Sequence, residues 1–203
     1  AAGRGVTDAA LPRLGTPLRL ATPRLWLRPW QDSDRAPFAA MGADPEVMRH
    51  FPALQTPEQA NASIDAWQAD FAERGWSNWA VARRADGAFV GFVGLTVPRR
   101  TLPFTPCVEI GWRLARQAWG QGLASEAARA VLDCAFGTLR LDEVLSFTAE
   151  CNTRSLALMQ RIGLRDLQRP FGHPALPEGH ALRPHRLFGL RRSEWAEAGR
   201  PAG

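Results

Sequence analysis

The stretch Arg116-Gln117-Ala118-Trp119-Gly120-Gln121-Gly122-Leu123-Ala124 sets two glycines between a strand-like run and an alanine-rich helical one. Upstream, Val108-Glu109-Ile110-Gly111-Trp112-Arg113-Leu114 alternates as a strand does. Downstream, Leu123, Ala127, Val131 and Ala135 recur every fourth residue with Ala128, Leu132 and Phe136 beside them, which predicts a helix over 124–136. Gly120 and Gly122 let the backbone turn sharply and approach a ligand closely. The helix that follows points unpaired N–H groups and the positive end of its dipole at whatever sits there, so the chemistry of the stretch is anion binding. A pyrophosphate satisfies such donors without any lysine. Two rival readings are a plain strand-to-helix turn and a dinucleotide-binding fingerprint. The fingerprint fits poorly, because Ala115 to Trp119 separate the strand from the first glycine and Ser125 fills the last glycine slot. Asp142, the acid about twenty residues on, also precedes a strand instead of ending one.

The chain around this stretch has 203 residues, 45% of them hydrophobic and 22% charged, which fits one ordinary folded domain and excludes a disordered tail or a fibre. All 25 basic residues are arginine and tyrosine is absent. Without lysine there is no Schiff-base chemistry, no pyridoxal-phosphate anchor and no P-loop; without tyrosine no phenol acts as an acid. The net charge of +5 attracts anions of every kind. Basic runs such as Arg99-Arg100 and Arg191-Arg192 are short and lack interleaved aromatics, which argues against nucleic acid as a partner. Cys107, Cys134 and Cys151 show neither a C-x-x-C pair nor a zinc spacing and read as reduced core thiols. No apolar stretch reaches about 18 residues and no signal pattern opens the chain, so the expectation is a soluble, cytoplasmic protein without a membrane partner.

Residues 1–17 lack periodicity and read as a loose leader before a single domain over 18–203. Leu18, Leu20, Leu25 and Leu27 alternate as short strands around a Thr22-Pro23 turn, and helical pieces follow over 33–41 and 45–50. Thr56-Pro57-Glu58-Gln59 is a capping box that opens a helix with Ile64, Trp67 and Phe71 on its apolar stripe and Gly75 at its end. Two strands joined by Ala85-Asp86-Gly87 form a hairpin. After the alanine-rich helix come a strand over 144–148, a helix over 153–162 ended by Gly163, and strands near 164–168 and over 185–190. The Pro-, Gly- and His-rich loop 169–184 between those last two is long enough to be functional or mobile.

With these motifs in place the sequence resembles the GNAT superfamily of acyl-CoA N-acyltransferases over roughly Thr16 to Trp195. Gln117-Ala118-Trp119-Gly120-Gln121-Gly122 matches the superfamily's pyrophosphate loop, Glu109-Ile110-Gly111-Trp112 its preceding strand and Asn152-Thr153-Arg154-Ser155 its later helix start. Thr22-Pro23-Arg24-Leu25-Trp26-Leu27-Arg28 and His185-Arg186-Leu187-Phe188 with Trp195 resemble the ribosomal-protein N-acetyltransferase subgroup. The resemblance implies an α/β (α+β) fold with a mixed, mostly antiparallel central sheet flanked by helices. It implies acetyl-CoA as cosubstrate and direct transfer to an amine acceptor in a ternary complex, with no metal. The acceptor is a protein N-terminal α-amine or a small-molecule amine. In that picture backbone groups of Trp112 and Leu114 pair with the pantetheine arm, and the amides of Gln117, Trp119, Gly120, Gln121, Gly122, Leu123 and Ala124 hold the pyrophosphate. Asn152 reaches the cofactor or serves as a helix cap, and the two roles are compatible. Relatives place a tyrosine acid four residues before the glycine that ends that helix; here the glycine is Gly163 and Met159 fills the slot.

Ser155, one turn before Met159, is the hydroxyl left to meet the departing thiolate, or it only completes the Asn152 cap. Glu109 is the candidate base: a carboxylate inside an apolar strand has its pKa raised by burial into the useful range, unless its face is solvent. His50, His173, His180 and His185 are secondary bases or solvated side chains. Cys151 reads as a small buried thiol, not a catalyst. Trp30, Trp76 and Trp79 line the acceptor cleft or belong to the core. A catalytically idle acyl-CoA-binding module is the alternative of another class.

Overall fold

The computed structural model describes residues 11–198, which fold into two compact units. One comprises Arg13–Leu95 and Gly111–Val131; the other comprises Thr96–Ile110 and the chain from Leu132 onward, with the residues before Arg13. Of the expected leader, residues 1–10 lie outside the described residues. Its later part is held: Arg13 pairs with Glu73 at 3.0 Å, the Leu14 N–H donates to the Arg74 carbonyl at 3.0 Å, and the Leu18 N–H donates to Gly75 at 2.8 Å.

In the first unit, β1 (Leu20–Ala21), β2 (Leu25–Arg28), β3 (Asn78–Arg83) and β4 (Phe89–Thr96) follow one another in an antiparallel sheet. Helices α1 (Arg35–Gly42) and α2 (Pro57–Arg74) fill the excursion from β2 to β3. The capping box forms as the sequence predicts: the Gln59 N–H donates to Thr56 Oγ1 at 3.2 Å, and the Thr56 N–H donates to Gln59 Oε1 at 2.9 Å. Gly75 ends α2 in the left-handed region at φ 85°. Residues 45–50, expected as a short helix, are a run of turns, because Asp44 Oδ1 accepts the Glu46 N–H at 2.9 Å and diverts the backbone.

The core of this unit is aromatic. Trp30, Phe38, Trp67 and Phe92 contact one another with centroids 4.9–6.0 Å apart, and Trp76 and Trp79 are fully buried. Trp30 and Trp79 spend their indole N–H groups on the carbonyls of Asn78 and Leu18, each at 2.8 Å. All three candidate cleft tryptophans are therefore core residues. Asp34 is buried too, and Arg28 grips it with two bonds of 2.7 and 2.9 Å while the Gln31 N–H adds a third at 2.9 Å.

In the other unit, β5 (Glu109–Leu114) starts beside β6 (Glu143–Ala149) in parallel, with Glu109 opposite Leu145. β6 pairs along its whole length with β9 (Pro184–Arg191), which also takes β7 (Arg165–Asp166) and β8 (Phe171–Gly172), all antiparallel. The β-structure is thus mixed and mostly antiparallel, as the resemblance implies. Helix α3 (Leu123–Asp133) stops short of the expected Phe136 and widens into a π turn over Cys134–Thr138, where the Leu139 N–H reaches back to the Cys134 carbonyl at 2.9 Å. Helix α4 (Thr153–Arg161) packs on β6 and β7, and α5 (Arg192–Glu197) follows β9, with the Trp195 N–H donating to Asp133 at 3.1 Å.

Cys107 and Cys134 are buried, and desolvation pushes both thiols up to about 12. Cys151 is exposed, which corrects the core reading: it stands in the tight turn from β6 to α4. Among the described residues, no helix is long and apolar enough to cross a membrane, and no cluster of three or more His, Cys, Asp or Glu is disposed to hold a metal ion.

Gly91 shows how tightly β4 runs past the end of β5. At φ 142° a Cβ there would lie 2.2 Å from the Arg113 carbonyl oxygen, and the neighbouring Ala115 N–H donates to Val90 at 2.9 Å. Gly91→Ala should lower the unfolding free energy by about 2–3 kcal/mol, read from urea midpoints. An unchanged midpoint would refute the close approach.

Candidate active site

The glycine loop belongs wholly to the first unit. A short 3₁₀ turn over Arg116–Ala118 leaves β5, and Trp119 clamps it by donating its indole N–H to the Leu114 carbonyl at 2.9 Å. The Gln121 side chain closes the loop on the Gln117 carbonyl at 2.9 Å. Gly120 and Gly122 both sit at positive φ, 71° and 74°. A Cβ at Gly120 would meet no protein atom within 4 Å, and one at Gly122 would meet only an Arg24 nitrogen at 3.7 Å. The glycines answer to backbone conformation and leave open space before the loop. The first helical bond of α3 runs from the Glu126 N–H to the Gly122 carbonyl at 3.1 Å, so the amides of Leu123 and Ala124 precede any intrahelical partner. This is the geometry of an anion site built from backbone.

Sequence reasoning missed the pair that holds the loop in shape. Glu126, in the first turn of α3, accepts from Thr22 Oγ1 at 2.6 Å and from the Arg24 N–H at 2.9 Å, and it binds Arg24 Nε at 2.6 Å. Arg24 Nη1 in turn donates to the Gln121 carbonyl at 2.9 Å. Partial burial alone would raise the Glu126 pKa; the Thr22 hydroxyl and the Arg24 amide and guanidinium outweigh it and hold the carboxyl below its usual range. The signal lay in Thr22-x-Arg24 and an acid in the first turn of a helix whose start awaits an anion.

In the second unit, Glu109 is half-buried and makes no hydrogen bond or ion pair to the described residues. It opens β5 opposite Leu145, which packs with Cys107 and Leu187 and with Phe104, Phe147, Leu167 and Phe171. Desolvation pushes its carboxyl up to about 8. A carboxyl of that affinity, once ionised as pH approaches about 8, is matched to take a proton from an amine.

Asn152 caps α4: its Oδ1 accepts the Ser155 N–H at 3.3 Å and its Nδ2 donates to Thr148 Oγ1 at 3.0 Å. Ser155 is half-buried, and its hydroxyl has no partner among the described residues. Met159, one turn on, is buried. Trp112 is half-buried, and the Leu114 carbonyl already accepts the Trp119 indole, so one lone pair and the strand's amide groups are what Leu114 retains. His173 and His185 lie 4.9 Å apart, centroid to centroid, beside Phe147 and Phe171. Burial, helped by the charges of His185, Arg100 and Arg183, pushes His173 down to about 4, and burial also lowers His185, so both rings are neutral at pH 7 and weak as bases.

A family model described as an acetyltransferase (GNAT) domain matches residues 24–165. The uncharacterized protein YkkB of Bacillus subtilis is 32% identical over 147 residues, 72% of this chain and 84% of that protein. The FsC-acetyl coenzyme A-N(2)-transacetylase of Aspergillus fumigatus is 31% identical over 196 residues, 90% of this chain and 80% of that one. A solved GNAT-family acetyltransferase from Bacillus anthracis superposes with a TM-score of 0.72 at 22% identity, over 87% of this chain and all of that one.

The raised Glu109 pKa has a consequence for stability. The folded state holds this proton more tightly than the unfolded chain, so the associated stability is complete below the ordinary value of 4.5 and is lost as pH rises through about 8. Glu109→Gln removes that dependence. Across this window the wild type is expected to lose stability relative to the variant in paired urea titrations, and parallel curves would place the carboxyl at an ordinary pKa.

Proposed function

This chain belongs to the GNAT acetyltransferase family, and from that premise we propose that it moves an acetyl group from acetyl-CoA to a primary amine by direct transfer within a ternary complex. The observation that carries the reading is the glycine loop, whose positive-φ glycines face open space ahead of the unpaired amides of α3. The amides from Gln117 to Ala124 hold the pyrophosphate, with Gln117, Trp119, Gly120, Gln121, Gly122, Leu123 and Ala124 contributing. Backbone groups of Trp112 and Leu114 pair with the pantetheine arm. Asn152 keeps its cap and spends its remaining amide hydrogen on the cofactor.

Glu109 receives the proton that the attacking nitrogen gives up. An amine of pKa near 8 is mostly protonated at neutral pH, so a carboxylate of matched affinity is suited to the task. The nitrogen lone pair forms the new amide bond to the thioester carbon and the carbon–sulfur bond breaks. The Ser155 hydroxyl donates a hydrogen bond to the leaving thiolate, which takes its proton from water. Met159 offers no such donor, so Ser155 carries this role alone. Protein N-terminal α-amines and small-molecule amines are the two acceptor classes, and the name of the Aspergillus relative specifies transfer to a nitrogen.

Calorimetric titration of acetyl-CoA, with CoA for comparison, tests the cofactor site. Saturable micromolar binding is expected, and Gly122→Val should weaken it at least about tenfold by straining a positive-φ position and filling the phosphate space. Unchanged affinity in a folded variant removes the loop from the site. Glu109→Gln should slow turnover about a hundredfold while leaving acetyl-CoA affinity within about twofold. In the wild type, activity should rise with pH through about 8, as the carboxyl loses its proton. Binding without turnover over a broad amine panel would instead mark an idle acyl-CoA-binding module.

A further inference from the structure

Arg113, on β5, has no carboxylate counterion among the described residues. Its Nη1 donates to Gln55 Oε1 at 2.7 Å, its Nε is buried without a partner, and no carboxylate among the described residues pairs with it. The guanidinium carbon stands over the Phe51 ring at 4.4 Å and the Phe92 ring at 5.4 Å. Other arginines shielded from water in this unit are treated differently: Arg28 has Asp34 at 2.7 Å and Arg74 has Asp70 at 3.1 Å. Leaving a desolvated cation without an acid is costly, and burial pulls the Arg113 guanidinium down to about 10.

The neighbours of this cation are arranged, not incidental. Gln55 is locked by its N–H bond to the Gly42 carbonyl at 2.9 Å, and its side chain occupies the space a Cβ on Gly42 would need. That fixes Nη1 and leaves Nη2 without a protein partner among the described residues. The segment leading to Gln55 carries Phe51 and Leu54, 38% and 49% exposed, two large apolar side chains in water, of which Phe51 lies against the uncompensated charge. An occupant with a carboxylate for Nη2 and an apolar body for Phe51 and Leu54 satisfies both at once.

We propose that Arg113, oriented by Gln55, recognises a carboxylate on the acceptor, so that the amine acetylated is a small apolar amine of the amino-acid type. The proposal rests on the N-acetyltransferase reading above. The cofactor's phosphates are the other anions in the reaction, and the loop amides already answer to those.

Two probe pairs that differ only by a carboxylate test it: L-phenylalanine against 2-phenylethylamine, and L-leucine against 3-methylbutylamine. Each is titrated calorimetrically into the wild-type protein saturated with CoA. The carboxylate-bearing member of each pair is expected to bind roughly tenfold or more tightly. Arg113→Met should erase that preference to within about twofold, and Arg113→Lys should retain part of it. Equal binding within the pairs, no binding of either member, or a preference that survives Arg113→Met overturns the proposal. So does a loss of acetyl-CoA affinity in Arg113→Met as large as the loss for the amino acids, since Arg113 would then serve the cofactor. The wild-type pairs decide the matter even if the variants fail to fold. Failure of acetyl-CoA to bind is read separately and counts against the N-acetyltransferase assignment itself.

Discussion

A helix start with unpaired amides favours an anion when its surroundings are positive, and the start of α3 has that character without a lysine. Glu126 stands in the first turn of α3, where its charge would compete with a bound anion for the helix dipole. Arg24 neutralises it at 2.6 Å and uses a second nitrogen to fix the Gln121 carbonyl, so the glutamate becomes a bracket for the loop instead of a repulsive charge. This bracket and the Trp119 clamp hold the loop, and open space lies before Gly120.

The charges that matter most to the proposed chemistry are those the fold leaves unsatisfied. The buried Asp34 is paired with Arg28, and the buried Asp70 with Arg74. Glu109 and Arg113 are not. Desolvation raises the Glu109 carboxyl to about 8, and once ionised above that pH it is a stronger base than an ordinary carboxylate. A guanidinium on aromatic faces with two nitrogens, Nε and Nη2, unpartnered keeps its affinity for an anion. Neither arrangement favours stability by itself, and sites with such costs are where function is expected.

The absence of tyrosine reshapes the thiolate end of the reaction. Met159 takes the usual acid's slot and is buried in the core face of α4, while Ser155, one turn nearer the Asn152 cap, keeps its hydroxyl unengaged. The cap fixes the start of the helix and thereby the serine's backbone, since Asn152 accepts the Ser155 amide itself. A hydrogen bond from a serine stabilises a thiolate less than a phenol's proton does, so in the proposed mechanism more of the work falls to Glu109 and to the leaving-group chemistry of the thioester.

The amino-acid sequence by itself determined what depends on neighbours within one helical turn. The Thr56 capping box, the Gly75 and Gly163 stops, the positive-φ glycines of the loop and the Asn152 cap all rest on local backbone conformation or on side-chain-to-backbone bonds between residues a few positions apart, and the local order of residues carries those. The alternation that marked Glu109 as out of place was local as well. What only the tertiary structure decided rests on partners far apart in sequence. Arg24 and Glu126 are 102 residues apart, Arg113 and Gln55 are 58 apart, and no periodicity links either pair. Burial was settled in the same way: Trp30, Trp76 and Trp79 went to the core, Cys151 to the surface and Glu109 to a half-buried position. Whether a side chain meets water is fixed by the elements packed around it, and these come from the rest of the chain.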